Sequence, residues 1–387
     1  MRRLSEPLVA APKDVPVDHD ACFKRFPWIE PALEVHYERA RASSARSKLS
    51  SKKSLEAVEA IRWPNDYQPG MDRITLSYNA STGAYDYRAE EIKYPNMEHK
   101  RPCILQTLED SVRRHGAGLA HHLKKKELIF LVETEDFPLA WTGMDLRVPP
   151  FAMSSYFEHI DVPIPDFTYK CYPETRLVNS SWPGVAQLLD VKSRQVHWAD
   201  RKTDIFQRGN WNVGVRRRLL PLLDSLAQNG SAVATLGAAL DIQDTDLEGT
   251  KRDNFKLIDS WCEHKFQIHT AGLTYSAALK YRLACASVVF RVPNEYVEFY
   301  EPALRDAGVT VELPLFKEAD EDEQAWLAAA APLIRAAVEE HRDAQAVPDV
   351  AQRARSWVME NLRDEALECY WYGALLRYAP LYHSKVA

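Results

Sequence analysis

The stretch Cys262–Glu301, CEHKFQIHTAGLTYSAALKYRLACASVVFRVPNEYVEFYE, sets the tightest limit on how this chain can fold. Lys265–Thr270 alternates with the period of a strand, and Ala271-Gly272 breaks it. Thr274 and Ser276 predict a capped helix start, and Ala277–Cys285 is rich in helix formers. Ser287–Val292 has the pattern of a buried strand, ended by Pro293-Asn294. A strand, a glycine turn and a capped helix together present free backbone N–H groups, which suit a phosphate or diphosphate. Lys280, one turn into the helix, adds a positive charge to that expectation.

The rest of the chain narrows the chemistry. It has 387 residues, enough for two domains. A formal charge of −6 argues against a general nucleic-acid binder. No run approaches the roughly 18–20 apolar residues of a membrane span. Residues 1–20 predict a disordered leader without the apolar core of a signal peptide. The ten Trp and seventeen Tyr serve either as core or as aromatic platforms of the kind sugars stack on. The six cysteines (Cys22, Cys103, Cys171, Cys262, Cys285 and Cys369) form no CxxC pair, which argues against zinc or thioredoxin-like chemistry. Sequons at Asn79, Asn179 and Asn229 point weakly to a secretory origin.

Along the chain, a helix is expected after Pro31, a solvated basic loop over 42–53 and a hairpin over 73–92. A helix is expected over 105–123, where His121 and His122 read as a surface pair. Glu127–Glu133 (ELIFLVE) predicts a short strand of the parallel-sheet kind. It ends at Thr134-Glu135-Asp136-Phe137-Pro138, and ligand crevices of open α/β sheets lie beyond the carboxyl ends of strands. Residues 148–184 are irregular and rich in proline and aromatics. Ile205-Phe206 predicts a strand, Arg208–Asn212 a turn, and Val215–Leu223 a helix start bearing Arg216, Arg217 and Arg218. Two D-x-D tripeptides, 244–246 and 320–322, are weak metal signals, the second reading better as acids at a helix N-terminus. Ala325–Arg342 and Ala351–Tyr382 read as long helices. No Gly-rich phosphate loop of the G-x-x-x-x-G-K-[ST] type is present, which counts against a kinase.

Five blocks in order resemble the capsule-associated-protein glycosyltransferases, glycosyltransferase family 90, which holds the Rumi-type protein O-glucosyltransferases and fungal capsule xylosyltransferases. They are ETEDFP (133–138), PPFAMSSYFEHIDVPIPDFTYKCYP (149–173), K-x-x-x-F-x-R-G (202–209) with Arg216, HKFQIHTAGLTYSAALKYRLACASVVF (264–290) and CYWYGALLRYAPLY (369–382). The resemblance spans roughly residues 100–387. It implies an α/β, GT-B architecture: two Rossmann-like domains facing across a cleft. The implied division is 21–190 on the acceptor side, 191–350 on the UDP-sugar side, and a C-terminal helix, 351–387, returning to the first domain.

The resemblance further implies inverting transfer of glucose or xylose from UDP-glucose or UDP-xylose to a hydroxyl of a protein or glycan, without cofactor or metal. Asp136 stands at the position of the general base, with Glu133 and Glu135 in reserve. Arg208 and Arg216, with Gly209, would meet the diphosphate. Gly272, Thr274, Ser276 and Lys280 would hold the leaving UDP, and Glu298 a ribose. Bridges Cys262–Cys285 and Cys22–Cys369 are implied, leaving Cys103 and Cys171 over, and with them a lumen of the secretory pathway. Where the family pattern has an arginine this chain has Ala278, so a cationic contact falls to Lys280 or Arg282. Gln207 replaces an aromatic, and Thr310–Leu315 lacks the family's His-Tyr. The competing expectation is a non-catalytic carbohydrate- or protein-binding member of the same fold.

Overall fold

In the computed structural model the described residues are 19–62, 69–93, 100–245, 252–316 and 322–384. The leader expected over 1–20 lies almost wholly outside them. The described chain opens with α1 (His19–Arg25), α2 (Ile29–Arg46) and α3 (Ser51–Glu59). Pro31 sits in the first turn of α2, where a missing N–H breaks no helical bond. The loop expected over 42–53 is helical at both ends and packed rather than solvated. Ser43 Oγ donates to the Leu146 carbonyl at 2.8 Å, and Ser54 Oγ accepts from the Arg147 N–H at 2.8 Å. Serine is small enough to bury once its hydroxyl is satisfied, so polarity alone misled here.

β1 (Met71–Asn79) and β2 (Ala84–Lys93) form the expected antiparallel hairpin. α4 (Lys100–His122) leads to β3 (Leu128–Glu133), followed by β4 (Phe151–Ala152), β5 (Ser155–Tyr156) and β6 (Val162–Pro163). The first sheet runs β2-β1-β3-β4-β6. β3 pairs antiparallel with β1 and parallel with β4, so the apolar strand has one neighbour of each kind. α5 (Trp182–Gln195) spans the boundary expected at 190.

The second half begins with β7 (Lys202–Gly209), α6 (Arg216–Gln228), α7 (Ala232–Leu236), β8 (Leu240–Asp244) and β9 (His264–His269). It continues through α8 (Ala278–Ala284), β10 (Val288–Arg291), β11 (Tyr296–Val297), α9 (Glu301–Asp306) and β12 (Val311–Glu312). Its sheet runs β12-β10-β9-β7-β8 with every pair parallel. Alternation sorts the faces. Phe266, Ile268, Val288 and Phe290 pack with Leu219, Leu223, Trp326 and Ile334. Val289 joins the other core, with Tyr281 and Leu283 of α8. α6 and α8 thus cover opposite faces. The chain turns away in opposite directions after β7 and β9, and a crevice opens at their carboxyl ends. β11 pairs antiparallel with β5, which joins the two halves edge to edge.

α10 (Glu323–His341), α11 (Asp349–Asn361) and α12 (Asp364–His383) complete the chain. The single helix expected over 351–382 is two helices, because Arg363 is extended and restarts the chain as the cap residue of α12. α12 packs on α4 and α2, and Tyr378 Oη donates to the Ile129 carbonyl of β3 at 3.0 Å. No helix among the described residues is long and apolar enough to cross a membrane.

Three disulfides join Cys22–Cys369, Cys103–Cys171 and Cys262–Cys285. The expectation that Cys103 and Cys171 are left over is corrected: α4 brings Cys103 to a Cα distance of 5.9 Å from Cys171. Cys22 and Cys369 are 347 residues apart in sequence, Cys262 and Cys285 only 23. Chain entropy makes the longer closure the more stabilising, by about 2 kcal/mol. Cys22→Ser with Cys369→Ser should therefore lower the denaturant midpoint more than Cys262→Ser with Cys285→Ser, and equal midpoints would refute this ordering.

Candidate active site

The crevice is built around Arg216. Its Nε donates to Thr270 Oγ1 at 3.1 Å, and its Nη2 to the Thr270 carbonyl at 3.2 Å and to Ser276 Oγ at 3.1 Å. The first residue of α6 thereby reaches across from the end of β7 to the end of β9, at the point where the strand order reverses. Gly209 lets it pass, and Gly272 lets the turn after Thr270 close. A Cβ on Gly209 would stand 2.9 Å from Arg216 Nη1, and one on Gly272 would stand 2.8 Å from the Tyr275 carbonyl oxygen. Desolvation pulls the Arg216 guanidinium down to about 10, so it is a cation at neutral pH.

The surrounding cations differ in how far they are neutralised. Arg208 is committed: it donates to the Asn254, Gln207 and Asp241 carbonyls and pairs with the Asp241 carboxylate at 2.6 Å. Strand alternation turns the Arg208 side chain, expected at the diphosphate, toward these partners on β8. Arg291 is held between Glu301 and Glu312. Lys280 has no exposed surface. Its Nζ donates to Thr168 Oγ1 at 2.6 Å and lies 3.8 Å from Asp166. Lys280, expected at the UDP, thus faces the first half of the chain. Arg282 is also buried, donating to Gln267 Oε1 at 3.1 Å, and burial with the Arg216 and Arg208 charges brings it down to about 9. Arg216 and Arg282 therefore have no carboxylate partner among the described residues.

The expected helix end also differs. α8 begins at Ala278, behind an Ala277 cap residue that offers no side-chain hydrogen bond, and it is 7 residues long. Thr274 and Ser276 do not cap it. Ser276 serves Arg216 instead, and the Thr274 carbonyl accepts from Asn294 Nδ2. Glu298 is buried against Tyr300 Oη at 3.3 Å, and burial raises its pKa well above the carboxylate range against the pull of Lys280. Thr270 and His269, which sequence reading passed over, line the end of β9. Burial, with Arg282, Arg291 and Arg216 around it, keeps His269 neutral, and its Nδ1 has no partner.

Asp136 belongs to the other half. Its Oδ1 accepts from Lys100 Nζ at 2.9 Å, and its side chain keeps a quarter of its exposure. Lys100 itself is buried and lies 4.6 Å over the Phe167 ring. The Tyr275 phenol, buried in the turn that carries Gly272 and Ser276, is raised by burial and further by Asp166 and Asp136. Asp136 therefore acts across the crevice on the loop that seats Arg216. Beyond Asp136 runs a line of rings: Phe137 to Tyr296 at 6.2 Å, Tyr296 to Tyr156 at 5.0 Å and Tyr156 to Phe157 at 4.4 Å. Trp141, bridged to His159, is 56% exposed and Phe157 51%. Glu133, one of the reserve acids, is fully buried, with its Oε1 accepting from the Glu135 N–H at 2.7 Å and its Oε2 unpartnered. Burial raises its pKa well above the usual carboxylate range.

The D-x-D signals have local explanations where they are described. Asp322 caps α10 by accepting from the Gln324 and Ala325 N–H groups, and Asp244 accepts from the Trp211 N–H at 3.0 Å. Asp246, Asp320 and Glu321 lie outside the described residues. Asp204, Asp241 and His264 come within metal-ligand reach of one another, yet His264 is paired with Asp204 and Asp241 with Arg208.

Two measurements test this geometry. Inorganic pyrophosphate should raise the melting temperature of the chain, and Arg216→Met should weaken its binding by about tenfold or more while the ligand-free midpoint holds. Glu133 has a folded pKa raised above its unfolded value, so its support is present at low pH and lost as pH climbs through the folded pKa. Glu133→Gln should accordingly stabilise the chain by about 1 kcal/mol or more at pH 8 and by less at pH 5. A gain independent of pH would contradict the assignment.

The profile described as Glycosyl transferase family 90 matches residues 119–387. "O-glucosyltransferase rumi" of Drosophila melanogaster is 25% identical over 267 residues, covering 67% of this chain and 62% of that protein. "Protein O-glucosyltransferase 1" of Bos taurus is 20% identical over 268 residues, covering 65% and 62%. The "O-glucosyltransferase rumi homolog" of Aedes aegypti is 26% identical over 308 residues, covering 76% and 72%. The chain thus spans somewhat under two thirds of the length of the fly and bovine relatives. With the matched region reaching from the end of α4 through both strand ends of the crevice to the last helix, the chain belongs to glycosyl transferase family 90.

Proposed function

We propose that the chain transfers glucose from UDP-glucose to a hydroxyl of a protein or glycan acceptor, with inversion at the anomeric carbon. The observation that carries this is Arg216: a cation without a carboxylate partner among the described residues, at the switch point of a parallel sheet, with the partly exposed carboxylate of Asp136 in the other half. A diphosphate presents two negative groups in a row, and a guanidinium binds them through paired N–H donors. The parallel sheet β12-β10-β9-β7-β8 is then the UDP-sugar side, the sheet β2-β1-β3-β4-β6 the acceptor side, and the two form the Rossmann-like halves of a GT-B enzyme. The division follows 21–190, 191–350 and 351–387. Names of the relatives specify glucosyl transfer, which favours glucose over xylose.

In the reaction, Asp136 takes the proton of the acceptor hydroxyl as its oxygen attacks the anomeric carbon. The bond from that carbon to the diphosphate oxygen breaks, and its electron pair leaves with UDP. Arg216 stabilises the growing charge, supported by the field of Arg282. Protein cations fill the role a divalent metal has in D-x-D enzymes, so transfer is metal-independent. The rings from Phe137 to Phe157 offer a stacking surface for the acceptor. Three disulfides fit an oxidising compartment such as the secretory lumen.

A mass-spectrometric screen of UDP-glucose, UDP-xylose and other common UDP-sugars should show turnover with UDP-glucose foremost. Asp136→Asn should reduce transfer by about 10²–10⁴ while UDP binding persists. Binding of UDP without turnover of any donor would instead mark a non-catalytic member of the fold.

A further inference from the structure

Gln207 precedes Arg208 on β7, on the strand face turned to α6. It is 1% exposed, and neither its Nε2 nor its Oε1 has a hydrogen-bond partner. A buried primary amide with all its capacity unused is costly, and packing gives no reason for it. Ile205, on the same face, sits in the apolar core, where an aliphatic residue at 207 would continue the pattern. Gln267 on the neighbouring strand shows the ordinary state of a buried amide. Its Nε2 donates to the Trp261 carbonyl and Ser287 Oγ, and its Oε1 accepts from Arg282. The direction of the Gln207 amide is set by Gly209. A Cβ there would stand 3.0 Å from Gln207 Nε2 and 2.9 Å from Arg216 Nη1. Amide and guanidinium therefore flank one glycine at the mouth of the crevice.

We propose that Gln207 is a donor-recognition residue, whose carboxamide hydrogen-bonds the UDP-sugar once Arg216 turns from Thr270 and Ser276 onto the diphosphate. A diphosphate offers acceptors only, so it satisfies Nε2 and leaves Oε1 unmet. Oε1 requires a donor, and a UDP-sugar carries such groups at the uracil imide and at the sugar hydroxyls. Gln207 thus reads a part of the donor beyond its phosphates. This rests on the assignment of the crevice to a UDP-sugar.

The test compares the wild-type chain with Gln207→Met, which keeps the length and removes the amide. Binding of UDP-glucose, UDP and inorganic pyrophosphate is measured by calorimetry, and the unfolding midpoint is measured without ligand. The variant should bind UDP-glucose about tenfold more weakly, bind pyrophosphate as before, and unfold no earlier than wild type. A loss shared by UDP and UDP-glucose locates the contact on the nucleoside, and a loss confined to UDP-glucose locates it on the transferred sugar; both uphold the proposal. Unchanged affinity for both nucleotides overturns it, as does a lowered midpoint with unchanged affinities, which is the mark of a packing residue. If the wild-type chain binds neither nucleotide, the assignment of the crevice falls, and this inference with it.

Discussion

A lysine without exposed surface holds the two sides of the crevice in register. Lys280 projects from α8 in the second half and meets Thr168 and Asp166 in the first. An ammonium buried this deeply is tolerated only when its charge and donors are met, so the contact admits little freedom of position. Phe167 lies between those two residues, and Lys100 rests on its ring while pairing with Asp136. The buried lysine, one short turn and the second lysine thus form a continuous path. It fixes the carboxylate on one side relative to the strand ends that seat Arg216 on the other. Catalysis by proximity requires such a fixed relation, because small errors in placement are costly in rate.

The charges around the crevice divide the labour. Arg208, Arg291, Lys280 and Lys100 are each answered by a carboxylate, so they brace the fold and contribute little net field. Among the described residues Arg216 is answered by hydroxyls and a carbonyl, and Arg282 by neutral oxygen atoms and the Trp261 ring. Their unspent charge falls at the switch point, where an anion finds it with little competition. Keeping His269 neutral prevents a third cation from crowding the guanidinium groups.

How much of this was legible in the sequence follows from which facts are local. The strand–turn–helix–strand over 262–292, the hairpin and the helix over 105–123 depend on period and punctuation, and appear within a residue or a few of where the pattern puts them. Arg216 and Asp136 were singled out through the family resemblance, whereas the sequence did not show the surroundings of Lys280 and Arg208. Each sits inside a regular element, where the face it points to depends on the neighbour packed there. Gln207 had a weaker signal, an amide where the family pattern has an aromatic, and its meaning emerges only from the missing partners. The Cys103–Cys171 bridge needed the packing of α4 against the turn at 167–169, a contact between distant segments.

The last helix belongs to the site although it touches none of its charges. Tyr370 Oη donates to the Pro163 carbonyl at the end of β6, and the Trp371 indole N–H donates to Thr107 of α4. β6 runs directly into the turn at 166–169 that Lys280 and Lys100 share. Cys369, one residue before Tyr370, is bridged to Cys22, and Tyr370 stacks on Trp28 at 6.1 Å. The chain's two ends therefore close around the strand that carries the positioning turn. A helix held only by apolar packing could slide along its groove. One tied by a bridge and by directed hydrogen bonds at adjacent residues has its axial position determined, and through β6 it passes that determination to the turn beside Asp136.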